Sequence, residues 1–373
     1  MPTLAGNVIR GTASYNAAAG TSPTAITLPR TINAAKSVVF YTQRGGESTI
    51  YRDHREFFGY ELTNTTLQFL RTTATSAATI NLSYEVVEFA DATSVQHIVQ
   101  EITSTQTDIA ISAVDMNRSA VFVLGSRTDQ DVTRAYAVRL ESSTNVRVNC
   151  NTAPGAGDLI LYIAVVQFDT DVSVQRGAVS LGSGNTTASG TVNIEAVDPT
   201  RSVVIGNGQN EAAAYYYRMA VSWTFVDGET IAWNRAVYGS QVSKILPWQV
   251  ITLANGFSRH GSYEITDGNT TPASQPSFAA LDPTKSSLVV GFPLNECRPT
   301  VDISDTGMGG AGNYRTTIVP SVDFDGLTIT RGSARSGTAM AGTFAALQWE
   351  GGDPTEETPP TDVNLSDLLA GPT

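Results

Sequence analysis

Lysine is nearly missing from this chain of 373 residues: only Lys36, Lys244 and Lys285 occur, and charged residues of both signs make up 16%. A protein that grips nucleic acid needs a basic stripe interleaved with aromatics, and here 35 acids outnumber 23 bases for a net charge of -12. Nucleic acid is therefore excluded as a main partner. Two cysteines, Cys150 and Cys297, are too few for a disulfide framework and lack metal-ligand spacing, so both are expected as free thiols with no metal. The longest uncharged apolar run, residues 159–168, is half of the ~20 residues a membrane-crossing helix needs, so no membrane insertion is expected. The first residues have neither a basic start nor an apolar core, so no export signal is expected.

What the chain does contain is a repeat. Val197-Asp198-Pro199-Thr200-Arg201-Ser202-Val203-Val204 returns as Leu281-Asp282-Pro283-Thr284-Lys285-Ser286-Ser287-Leu288, and more loosely around Asp115 to Ser119 and Asn33 to Ser37. The serines stand at 37, 119, 202 and 286, steps of 82, 83 and 84 residues. Other landmarks keep that phase. A basic residue opens each unit, usually followed by glycine: Arg10-Gly11, His97-Ile98, Arg176-Gly177 and His260-Gly261. An apolar strand closes each one, at residues 84–89, 163–168, 248–253 and 344–349.

Within a unit, Val, Ile, Thr and aromatics alternate over five to eight residues between Gly, Asn, Asp and Ser, and no helical period persists for three turns. The fold class expected is all-β: four tandem antiparallel β-sandwich repeats of about 80–90 residues, with six or seven strands each. The boundaries fall at residues 1–92, 93–171, 172–256 and 257–349, each unit with its own core like a string of domains. The Asp-Pro-Thr-Arg/Lys stretch reads as a turn, because proline presets φ while Asp can bond the backbone two residues on. Residues 350–373 hold six acids and no base, half of the net charge, and read as a disordered acidic, Pro-rich tail. Its apolar end, Val363, Leu365, Leu368 and Leu369, is a candidate docking peptide, with a frayed terminus as the competing reading.

Catalytic signals are sparse. The three histidines, His54, His97 and His260, lie in three different units, and no nucleophile elbow or phosphate-binding loop occurs, so no enzyme activity and no cofactor are expected. Carboxylates such as Asp323, Asp325, Glu85 and Glu88 fall in turns or on solvent-facing strand positions and do not stand out as a glycosidase pair. Arginine is more patterned. Arg55, Arg134, Arg218 and Arg315 precede Arg71, Cys150, Arg235 and Arg331 by 16 or 17 residues, which in a hairpin brings each pair to one sheet end. A planar fork there suits a carboxylate or a sugar hydroxyl; the favoured reading is an arginine that braces turn carbonyls or salt-bridges an Asp of a neighbouring unit, and Cys150 in one unit supports it. Arg55, Arg71, Arg218, Arg235, Arg315 and Arg331, with Trp233 as a stacking ring, are the candidate glycan-binding or interface residues.

The order of a Lys/Arg-Ser-Val-Val strand, an arginine-bearing strand, an alternating strand ending in Arg and a closing strand such as Trp248-Gln249-Val250-Ile251 resembles the H-type lectin domain. Tandem, lysine-poor copies of that sandwich resemble structural proteins of tailed-bacteriophage virions. The resemblance implies a non-enzymatic tail, baseplate, collar, fibre or capsid-decoration protein. Its partners would be other virion proteins and itself in a symmetric homo-oligomer. It would be assembled in the host cytoplasm and released by lysis. The alternative is an adhesin that recognises a host-surface glycan, since lectins of this type use an acid, an arginine and an aromatic near one sandwich end, where Arg71, Arg235 and Arg331 stand.

Overall fold

The computed structural model describes residues 5–16, 25–45, 58–71, 79–89, 94–128, 136–150, 152–168, 171–182, 187, 189–208, 221–235, 245–265, 286–289, 321–323, 326–328 and 340–349. They are all-β and antiparallel, with three short 3-10 turns. Strands β1 (Ala5–Asn16), β6 (Thr79–Phe89) and β3 (Ser37–Gly45) pair in that order. Beside them β2 (Ile26–Thr27), β5 (Thr66–Arg71) and β4 (Phe58–Leu62) form a second sheet.

The next residues repeat this order. Strands β7 (Ser94–Glu101), β12 (Leu159–Gln167) and β9 (Ser119–Thr128) make one sheet, and β8 (Gln106–Ala110), β11 (Asn145–Cys150) and β10 (Tyr136–Ser142) another. A third set joins β13 (Val172–Ser180), β18 (Ile245–Leu253) and β15 (Ser202–Gly206), with β14 (Ser189–Asn193), β17 (Thr230–Arg235) and β16 (Val221–Phe225). Last come β19 (Phe257–Ile265), β23 (Met340–Gln348) and β20 (Ser286–Val289), with the hairpin β21 (Ser321–Asp323) and β22 (Gly326–Thr328). The acidic tail lies outside the described residues.

Side chains alternate across a strand, so a sheet packed on both faces reads as a nearly unbroken apolar run. That is the state of the closing strands. On β9 and β12, Val121, Val123, Leu161, Ile163 and Val165 face the core shared with β10 and β11. The residues between them, Ala120, Phe122, Leu124, Ala164 and Val166, face a second core. Strands β15 and β18 divide likewise, with Val204, Leu246, Trp248 and Val250 toward β16 and β17 and Val203, Ile205, Ile251 and Leu253 toward the second core.

That second core is common to all four sets. Phe89, Phe168, Leu253 and Trp349 end the four closing segments, and all four belong to it. Phe89 meets Phe168 edge-on at 5.8 Å and Trp349 edge-on at 5.2 Å, while Phe168 stacks on Trp349 at 6.1 Å. Phe40 of β3 adds an edge contact to Phe122 of β9 at 5.5 Å. The expectation of a string of separate cores is corrected here, because the outer face of each first sheet is apolar and buries against its neighbours.

Register explains the recurring glycines. Gly11 lies opposite Tyr84, Gly177 opposite Trp248 and Gly261 opposite Phe344, whereas Ile98 lies opposite Ile163. A Cβ on Gly177 would stand 2.6 Å from Trp248 Cζ2, and one on Gly11 would overlap the Tyr84 ring, so glycine is required at these two positions. Replacing Gly177 by Ala should destabilise the protein by ~1–3 kcal/mol through this overlap. In a Trp248→Ile background the same change should cost measurably less; equal costs in urea unfolding would show that the ring is not the obstacle. Phe168→Ala should cost ~3–5 kcal/mol, the range for emptying a buried aromatic site.

Candidate functional site

The repeated serine sits at the end of a 3-10 turn and is fully buried at Ser37, Ser119 and Ser202. Each Oγ donates back across the turn, to Asn33 O at 2.8 Å, Asp115 O at 2.6 Å and Asp198 O at 2.7 Å. The side chains of Asn33, Asp115 and Asp198 accept from the backbone two residues on, at 3.2, 2.9 and 2.9 Å. The turn expected from Asp-Pro-Thr-Arg is present, and the looser copies make the same bonds. Closing strands tie it down: Glu88 Oε1 accepts from Asn33 N at 2.6 Å and Gln167 Oε1 from Asp115 N at 2.7 Å, while Ser202 and Thr252 hydroxyls meet at 2.8 Å.

This turn is the acceptor for the basic residue of the next sheet. Arg176 of β13 donates through one terminal nitrogen to Met116 O and Ser119 O, on the turn before β9. His260 of β19 places Nε2 2.7 Å from Ser202 O and 3.2 Å from Pro199 O, on the turn before β15. A carbonyl only accepts, so this nitrogen carries the proton. His97 of β7 bonds the backbone of Ala34, on the turn before β3. In these three places, which we term seams, a side chain replaces the ladder that two adjoining sheet edges do not make. Arg10 of β1, in the same phase, pairs with Glu85 at 2.7 Å.

Amides close two further edges. Gln249 accepts from Val121 N at 2.9 Å and donates to Val121 O at 2.8 Å, and Asn207 does the same for Val138 at 3.0 Å each way. Both engage edge strands, β9 and β10, whose unpaired backbone would otherwise invite another chain. Between β10 and the β13–β18–β15 sheet remains a cleft of about 190 Å³ lined in part by Arg139, Arg176, Asn207, Pro247 and Trp248. Within it Nε of Arg176 is buried with no acceptor among the described residues.

The outer face of the β8–β11–β10 sheet carries a charge network. Arg147 reaches Asp108 at 2.7 Å and Glu141 at 2.6 Å, and Arg139 reaches Glu141 at 2.6 Å and Asn149 at 2.9 Å. Hydrogen bonds from Arg147 and Asn145 pull the Asp108 carboxyl down from 3.8 to about 2.

Of the residues singled out from the sequence, Arg71 pairs opposite Phe58 and Arg235 opposite Val221, so each ends a hairpin strand. Cys150 occupies that position in β11 opposite Tyr136 and is buried. Trp233 is only 4% exposed and packs in the core between β17 and β18, so its ring is not presented to a ligand. Arg55, Arg218, Arg315, Arg331 and the tail residues Val363, Leu365, Leu368 and Leu369 lie outside the described residues. Sequence reasoning saw the basic landmarks Arg10, His97, Arg176 and His260 but gave them no task; their fixed phase to the serine was the signal. No protein-family model matches the chain, and no curated protein matches it significantly.

Two measurements check this geometry. Ser119→Ala removes one buried hydrogen bond and should cost ~1 kcal/mol in denaturant unfolding. Because Asp108 titrates lower when folded than unfolded, its contribution is present above pH 3.8 and fades as pH falls toward about 2. Acid titration of Asp108→Asn should therefore show a shallower loss of stability in that window than the unaltered protein; identical slopes would dissociate the network from acid stability.

Proposed function

We propose that the chain is four copies of one lectin-like six-stranded sandwich, over residues 1–92, 93–171, 172–256 and 257–349, followed by the acidic tail. The assembled body would serve as a non-enzymatic structural component of a tailed-phage particle, partnered by itself and by other virion proteins. The observation that carries this reading is the task of the in-phase residues. The serine braces a turn, the basic residue joins that turn to the next sheet at Arg176, His97 and His260, and glycine makes room for a core ring at Gly11 and Gly177. A chain whose recurring residues all serve joining is suited to holding shape.

The shared core supports the same reading. The outer faces of the β6, β12, β18 and β23 sheets are buried together, so among the described residues the second sheets are left to meet neighbours in a larger assembly. Few charged side chains and three lysines fit a protein that meets neighbours over uncharged polar β surface. Proteomics of purified particles should find the chain at a fixed copy number per particle. Complete, infectious particles formed after deletion of its gene would refute a structural role.

A further inference from the structure

The three seams differ in chemistry. Arg176 is a permanent cation; burial works against its charge, and Asp115 on the turn it grips, itself paired with Arg118 at 2.9 Å, works for it. Its cross-strand neighbour is the polar Gln249. At the histidine seams the cross-strand neighbour is apolar instead, since His97 lies opposite Ala164 and His260 opposite Ala345. The turn gripped by His97 is capped by the neutral Asn33, whose N–H donates to Glu88 of β6 at 2.6 Å, and ends in Lys36; Glu88 is itself paired with Arg30 at 2.9 Å. The turn gripped by His260 holds Asp198 and Arg201, 3.7 Å from each other. Strands β12, β23, β15 and β16 contribute no charged side chain, and Phe225 of β16 meets the His260 ring edge-on at 5.5 Å. On their own strands the charged residues are Glu101 of β7 and Arg259 and Glu264 of β19; Arg259 lies over the Phe257 ring at 3.6 Å.

We propose that the His97 and His260 seams are a pH-sensitive latch that loosens on mild acidification, while the Arg176 seam stays closed. Both histidines are solvent-exposed on one side; enclosure of the other side pushes each below the ordinary value of 6.5, against the opposing pull of the carbonyls. A group whose closed-state pKa is depressed favours closure when neutral. An opened seam takes up a proton near the ordinary value, so falling pH shifts the balance toward opening. The neutral ring donates one hydrogen bond to the turn and leaves its other nitrogen uncharged. A protonated ring would carry its charge against an alanine side chain in both seams.

Hydrogen exchange of the full chain at about pH 7.5 and about pH 5.5, corrected for intrinsic rates, tests the latch. Peptides covering Ser37–Gly45 with Ser94–Glu101, and Ser202–Gly206 with Phe257–Ile265, should lose protection several-fold at the lower pH. Peptides covering Ser119–Thr128 with Val172–Ser180 should keep theirs. Uniform loss at all three seams, or none at the histidine seams, overturns the proposal. A His97→Gln/His260→Gln protein keeps a donor but cannot titrate, and its seam protection should not change between the two conditions. Should that variant fold poorly, the comparison among seams of the unaltered protein still decides the question.

Discussion

Burial of both faces of one sheet per set is the constraint from which the architecture follows. A half-buried sheet can end in solvent, but the outer faces of β9 and β12 carry Ala120, Phe122, Leu124, Ala164 and Val166 and cannot. At roughly 25 cal/mol per Å² of apolar surface, leaving several such side chains wet would outweigh the marginal stability of a small sandwich. The faces therefore meet, and the ring cluster of Phe89, Phe168 and Trp349 is where three closing segments converge. Once they meet, the spacing of the sheets is fixed, and so is the reach demanded of each seam residue.

Bringing sheets together by their faces leaves their edges side by side without a common ladder. Unpaired edges are a hazard, because any extended chain can add to them. The solution is local and uses side chains of matched length. An amide offers one donor and one acceptor, the pattern of a backbone unit, and Gln249 and Asn207 present both to a single residue of the opposing edge. Arginine and histidine only donate in this setting, and they are found against the carbonyls of a turn whose own N–H groups are already used by Asn33, Asp115 and Asp198. Donor-only side chains against acceptor-only turns is the rule that the seams obey.

Much of this was legible in the sequence because it depended on local chemistry. The 82 to 84 residue step, the Asp-capped turn, the all-β class and the closing strands rest on spacing and short-range hydrogen bonding, and turn and strands stand as expected. The shared core was hidden for a physical reason. Burial on one face gives alternation, but burial on two gives a uniform apolar run, and a run such as residues 159–166 does not say what covers its second face. Trp233 misled for a related reason: a ring on an alternating strand points either to solvent or to the core, and Gly190 opposite it, with a would-be Cβ 2.8 Å from Trp233 Cζ2, marks the packed side only once register is known.

Register also shows that the in-phase residues vary as cross-strand pairs. Opposite the basic landmark stand Glu85, Ala164, Gln249 and Ala345, so arginine faces a polar partner and histidine faces alanine, twice each in alternation. The next pair varies by size, with glycine opposite Tyr84, Trp248 and Phe344 and isoleucine opposite Ile163. Neither trend is visible in a single strand, because each is a property of two positions 65–85 residues apart. A guanidinium keeps its charge at any accessible pH and needs an oxygen near it; an imidazole sheds its charge and is then compatible with a methyl group. The pairing is thus what lets one backbone design accept two kinds of seam, one fixed and one responsive to protons, without altering the turn that both of them grip.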